Sequence, residues 1–173
     1  MVNFENEINN VKLIQSVTNG QPGSRVFSIE IFSDTQNIKI IIEKEQLISA
    51  CEYIIRNLYS ENIKESKENL YFEYDSEFDQ EFKSNNISID IMKELNQFKI
   101  HFENEEDEDI NNLVIANISY EQAIIFAKSS IDLASKGRPT CKLCYRPMNL
   151  SDISSENPQI CINCPRKNGH HTR

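Results

Sequence analysis

Leu113-Val114-Ile115-Ala116-Asn117-Ile118-Ser119-Tyr120-Glu121-Gln122-Ala123-Ile124 decides the fold class, because it runs from an apolar strand into a helix with no loop between. Leu113–Ile118 reads as a strand. Ser119 followed three residues later by Gln122 is a capping box, in which each side chain satisfies an otherwise unpaired backbone N–H. The helix then continues to Lys136 with Tyr120, Ala123, Ile124, Ala127, Ile131 and Ala134 inward, and Gly137 is its stop signal. The same transition occurs earlier as Ile42-Glu43-Lys44-Glu45-Gln46-Leu47-Ile48, again an apolar strand entering a helix opened by Glu-Gln. Two related halves are the expectation, each of strands followed by a helix packed on one face of a mainly antiparallel sheet. That is an α+β fold.

Outward from these two joints, the remaining periodicity is strand-like. Arg25, Phe27, Ile29 and Ile31 share one face, and Ile38, Ile40 and Ile42 share another across the turn-like Ser33-Asp34-Thr35-Gln36-Asn37, which predicts a hairpin. From Glu45 to Tyr59, Leu47, Ile48, Cys51, Ile54, Ile55 and Leu58 recur at helical spacing, which places Cys51 in a core stripe rather than in a reactive site. Leu70, Phe72 and Tyr74 predict a short edge strand, and Ile87/Ile89/Ile91 with Phe98/Ile100/Phe102 predict a second hairpin turning at Glu94–Gln97. The stretch before Asn19 reads as a polar segment. Asn19-Gly20-Gln21-Pro22-Gly23-Ser24 is a turn that precedes a strand, so it lacks the helix N-terminus that makes glycine loops attract phosphate.

Chemistry concentrates at the C-terminus. Cys141-Lys142-Leu143-Cys144 and Cys161-Ile162-Asn163-Cys164 form C-x2-C-x16-C-x2-C, the spacing by which two knuckles each offer two thiolates to one tetrahedral zinc. Four cysteine ligands close the coordination sphere, so the expected Zn2+ is structural. His170 and His171 lie beyond the second knuckle as substitute ligands. Only three histidines exist, His101 sits on a polar strand face, and Glu105–Asp109 lacks the ligand spacing of a calcium loop. No nucleophile paired with a base emerges, so the chain does not read as an enzyme.

The net charge of −9 conceals a division: residues 136–173 hold seven basic and two acidic residues, while residues 1–135 hold 11 basic and 25 acidic. An acidic body (residues 1–136) repels nucleic acid, and the basic tail (residues 137–173) suits an anion or an acidic surface. The first residues lack a secretory pattern, and the longest apolar runs are far shorter than the roughly 20 residues of a bilayer span. The expectation is a cytoplasmic protein without membrane contact.

Gly20-Gln21-Pro22-Gly23-Ser24-Arg25-Val26-Phe27, Glu43-Lys44-Glu45-Gln46-Leu47, Gly137-Arg138-Pro139-Thr140-Cys141 and Cys164-Pro165-Arg166-Lys167-Asn168-Gly169-His170 together resemble the actinobacterial-type domain-of-unknown-function family 3090. The resemblance implies a strand-rich body closed by a small metal-binding tail and, through the phosphatase-like and lipid-kinase-like proteins that members tend to accompany, a phosphate-related pathway. It brings no established activity. Members usually end in His-x-Cys-Pro, whereas here Ile162 occupies the histidine position and Cys161 stands one residue earlier, which favours four cysteine ligands.

Three functions follow as expectations. The first is a non-catalytic binding or adaptor protein whose zinc tail fixes Arg138, Arg146 and Arg166 for a protein partner or an anionic small molecule. In the second, Arg25, Arg166, Asn168 and His170 converge on one phosphate or nucleotide, as an enzyme or a binding protein. The third, nucleic-acid binding by the zinc ribbon, is disfavoured by the charge of the body.

Overall fold

The computed structural model describes residues 4–21, 23–60, 77–104, 112–136, 141–146, 148 and 159–167. Two compact units emerge: Met1–Asn19 with Val26–Ser135, and Gly20–Arg25 with Lys136–Arg173. The first holds all the strands and helices described below.

Its strands are β1 (Phe4–Ile8), β2 (Val11–Asn19), β3 (Val26–Ser33), β4 (Asn37–Ile42), β5 (Gln80–Lys83), β6 (Asn86–Met92), β7 (Gln97–Asn104) and β8 (Asn112–Ser119), with helices α1 (Lys44–Ser60) and α2 (Tyr120–Ser135). The fold is α+β with two four-stranded mixed sheets, ordered β2-β3-β4-β5 and β1-β8-β7-β6. Both expected hairpins are present: β3 pairs antiparallel with β4, and β6 with β7. The turn of the second contains a single 3-10 turn at Lys93–Leu95 and a left-handed Asn96 at φ 52°, a conformation asparagine tolerates.

The two halves are related by more than their entry sequences. In the first, the antiparallel meander β2-β3-β4 leads into α1 and then into β5, which lies parallel to β4. In the second, the meander β6-β7-β8 leads into α2, and the strand parallel to β8 is β1, supplied by the other end of the chain. The duplication is therefore circular. Gln46 accepts from the Glu43 backbone N–H at 3.2 Å, and Gln122 accepts from that of Ser119 at 3.0 Å, while the Ser119 hydroxyl accepts the Gln122 N–H at 3.1 Å. Each glutamine also donates to the chain leaving its parallel strand, Gln46 to the Asn85 carbonyl at 2.6 Å and Gln122 to that of Val11 at 2.7 Å. One residue type thus caps each helix and ties it to the segment that crosses between sheets.

Between the sheets and helices lies one core of Ile29, Ile31, Ile38 and Ile40 from the first half, Phe98, Ile100, Phe102 and Ile118 from the second, and the helical stripes. Removing such a side chain from water contributes about 1.5–3 kcal/mol each. Cys51 and the expected α2 stripe lie in it, with Ile131 half-buried at its edge and Phe126 and Ser130 added.

Two of the sequence expectations need changing. The N-terminal stretch is two strands, because the bulge between Val11 and Leu13 shifts the inward parity of β2 and hides its alternation. A further strand, β5, carries a single inward aromatic, Phe82, too little for a period-two signal. The strand expected over Leu70–Tyr74 and the outlet at Glu105–Asp109 lie outside the described residues. No helix among the described residues is long and apolar enough to cross a membrane.

Candidate metal centre

Both cysteine pairs occur in short turns, which is what brings their sulfurs to one point. The Cys141 N–H donates to the Arg146 carbonyl and the Tyr145 N–H returns to the Cys141 carbonyl, both at 2.9 Å, which closes the first loop. Tyr145 adopts the left-handed conformation at φ 59°. In the second loop the Cys164 N–H donates to the Cys161 carbonyl at 3.1 Å and the Lys167 N–H to that of Cys164 at 3.0 Å. A bond from the Lys142 N–H to the Gln159 carbonyl at 2.9 Å ties one loop to the approach of the other. Cys141 and Met148 are buried, with Leu143 and Ile160 packed against them.

The four Sγ atoms lie within 4.8 Å of one another, and the Cys141–Cys164 and Cys144–Cys161 pairs are both 3.7 Å apart. A tetrahedron of thiolates around zinc at about 2.3 Å has sulfur–sulfur edges of about 3.8 Å. A disulfide needs about 2.05 Å, and all four cysteines are free. The donor set therefore fits a closed four-thiolate site, with one ligand pair from each loop.

Electrostatics point the same way. Burial pushes the Cys141 thiol up, but backbone N–H groups of Cys144, Cys161 and Leu143 outweigh it and bring it to about 6. One of these, from Cys161, reaches its sulfur at 3.4 Å. Burial and the neighbouring Cys141, Cys144 and Cys164 push Cys161 up to about 12, and burial raises Cys164 as well. One thiolate forms readily, and further ones repel it. A divalent cation at the centre removes that conflict, which is why such clusters release protons as they bind metal.

The other expected site residues are placed unevenly. Arg25 donates to the backbone carbonyl of Lys136, so its partner is a carbonyl just past the end of α2 rather than a carboxylate. Arg166 donates to the Leu143 carbonyl at 3.2 Å, bridging from the second loop to the first, and Arg146 is exposed. Arg138, Asn168, His170 and His171 lie outside the described residues. His101, on the outer face of β7, meets Asp90 at 3.1 Å. Apolar though they are, Tyr145 is 72% exposed and Ile162 48%, so neither fills the interior of the tail. The signal was available in the repeat itself, since Cys141-x-x-Cys144-x-Arg146 and Cys161-x-x-Cys164-x-Arg166 are the same motif, and residues at the loop tips face outward.

The chain thus combines an α+β body of two sheets with a four-cysteine cluster that follows α2 in sequence. The chain belongs to the family described as "Protein of unknown function (DUF3090)", which matches residues 7–152. The matched span includes Cys141 and Cys144 and stops before Cys161 and Cys164. No curated protein and no solved structure matches the chain.

Proposed function

We propose that the protein is a non-catalytic binding protein whose C-terminal unit is a structural zinc module holding arginines toward an anionic protein or a phosphate-bearing small molecule. The observation that carries this is the sulfur geometry, with paired edges of 3.7 Å and all four ligand positions taken by cysteine. A zinc so enclosed has no open position for substrate and acts as a cross-link. Around it Lys142, Arg146, Arg166 and Lys167 are all exposed, and the described residues from Cys141 onward include no acid. Four thiolates with Zn2+ carry −2, so these cations leave the described part of the module positive. Guanidinium groups on a metal-stiffened loop lose less freedom on engaging a carboxylate or phosphate than flexible ones do.

Inorganic pyrophosphate and a glutamate-rich peptide are the probes. Zinc-loaded protein is expected to bind at least one of them with an affinity that falls as salt rises, and the Arg146→Ala/Arg166→Ala double variant is expected to weaken binding about tenfold or more. Turnover of a phosphate ester that Arg166→Ala abolishes would contradict the non-catalytic reading. The second reading, one anion held by Arg25, Arg166, Asn168 and His170, draws support from the grouping of Gly20–Arg25 with the tail in one compact unit. It is distinguished by Arg25→Ala, which weakens pyrophosphate binding as much as Arg166→Ala only if that site exists.

A further inference from the structure

The circular duplication makes each half a control for the other. Aligned on Gln46 and Gln122, α1 and α2 show the same sequence of buried, half-buried and exposed positions from Glu45 to Tyr59 and from Glu121 to Ser135, except at two places. Ile48 and Ala50 are half-buried, whereas their counterparts Ile124 and Phe126 are buried. Sheet register extends the alignment: Phe27 opposite Ile42 corresponds to Phe98 opposite Ile118, so Ile14 and Ser16 of β2 correspond to Ile87 and Ile89 of β6. In the second half that helix position is the buried Phe126 of α2, the helix that packs against β2. In the first half that position is Ala50, and a cavity of about 510 Å³ lies there, lined by Glu45, Gln46, Ser49, Ala50, Tyr53, Asn86, Ile87 and Ile89.

We infer that this cavity between α1 and β6 is a binding site for a small organic cation bearing a phenyl-sized apolar group. Its volume falls within the roughly 300–1,000 Å³ of small-molecule sites. The apolar part follows from the comparison: Ile87 and Ile89 line the cavity beside Ala50, whereas the equivalent helix position in the other half carries the phenyl ring of Phe126. The cationic part follows from charge, since Glu45 is the only charged residue in the described lining and no basic residue offsets it. Glu45, Ser49 and Tyr53 engage no described residue through their side chains, so a carboxylate and two hydroxyls are available at the rim. Gln46 is already committed to the helix cap and the Asn85 carbonyl, which fixes the wall it forms.

The test is fluorine NMR titration of the full chain with 4-fluorophenethylamine, with 4-fluorophenylacetate as its anionic counterpart and 4-fluorobenzyl alcohol as the neutral one. The amine is expected to bind with a dissociation constant of about 1 mM, fitting for a ligand of some ten heavy atoms. The acid should bind at least tenfold more weakly. Ala50→Phe, which copies the other half, should lower amine affinity at least tenfold while keeping native circular dichroism. Glu45→Gln should weaken the amine several-fold and leave the alcohol unchanged. If Ala50→Phe fails to fold, Ser49→Phe at an exposed lining position serves as the blocking variant. No binding of the amine, equal binding of the acid, or unchanged amine affinity in a folded blocking variant overturns the proposal.

Discussion

Glu7 shows how a single side chain on β1 ties three strands together. Its carboxylate accepts from Asn117 of β8 at 2.9 Å and pairs with Lys99 of β7 at 2.9 Å. The hydrogen bond from Asn117, then that from Lys99, hold its pKa below the ordinary 4.5. A depressed folded-state value means that the contribution to stability is complete above the unfolded value and is lost as pH falls through the folded one. Thermal melts of Glu7→Gln and the parent are therefore expected to differ at pH 6–7 and to converge progressively below about pH 4.5. A difference that persists at pH 2 would mean that packing, not ionisation, carries the effect. Burial pushes the Cys51 thiol up to about 12, as expected of a core residue and not of a nucleophile.

At the scale of elements, the two strand-to-helix joints were legible because capping chemistry is local. Ser119 and Gln122 form the reciprocal bonds their spacing implies, and Gln46 repeats the acceptor half without a serine, since Glu43 stands in that place. What the sequence could not reveal was the second job of each glutamine, because Asn85 and Val11 are distant in the chain and reach the helices only through the parallel strands β5 and β1. Gln46→Ala and Gln122→Ala are each expected to destabilise the body by about 1–2 kcal/mol, since each removes a cap and leaves a carbonyl without its donor. Urea unfolding measures this. A loss at Gln122 with none at Gln46 would show that the two halves do not share the tie. The missed strands have local causes too: a bulge disguised β2, and a parallel pairing gave β1 and β5 no hairpin turn to announce them.

For the whole molecule, composition and cysteine spacing located the chemistry, whereas the sheet plan needed coordinates. Meander strands adjacent in sequence were readable as hairpins, but β1 joining β8 is a pairing across most of the chain that no local pattern encodes. The cysteine pairs were readable because a metal site requires few residues at fixed spacing. The two compact units should also respond differently to metal. Among the described residues of the cysteine unit, Met148, Leu143 and Ile160 are the apolar side chains packed on its sulfurs, too little to close a core alone, while the strands and helices have their own. Chelation, or Cys161→Ser, is expected to collapse amide protection around Cys141–Arg146 and Gln159–Lys167 and to leave far-ultraviolet circular dichroism largely intact. Global unfolding on chelation would show one cooperative system instead.

Whether Cys141, Cys144, Cys161 and Cys164 hold a zinc is read from X-ray absorption at the zinc edge on protein purified under reducing conditions. The expected result is about one zinc per chain with four sulfur scatterers at about 2.3 Å and no nitrogen or oxygen in the inner shell. Protein that carries no zinc, or a zinc with a nitrogen or oxygen neighbour in place of a sulfur, would contradict it.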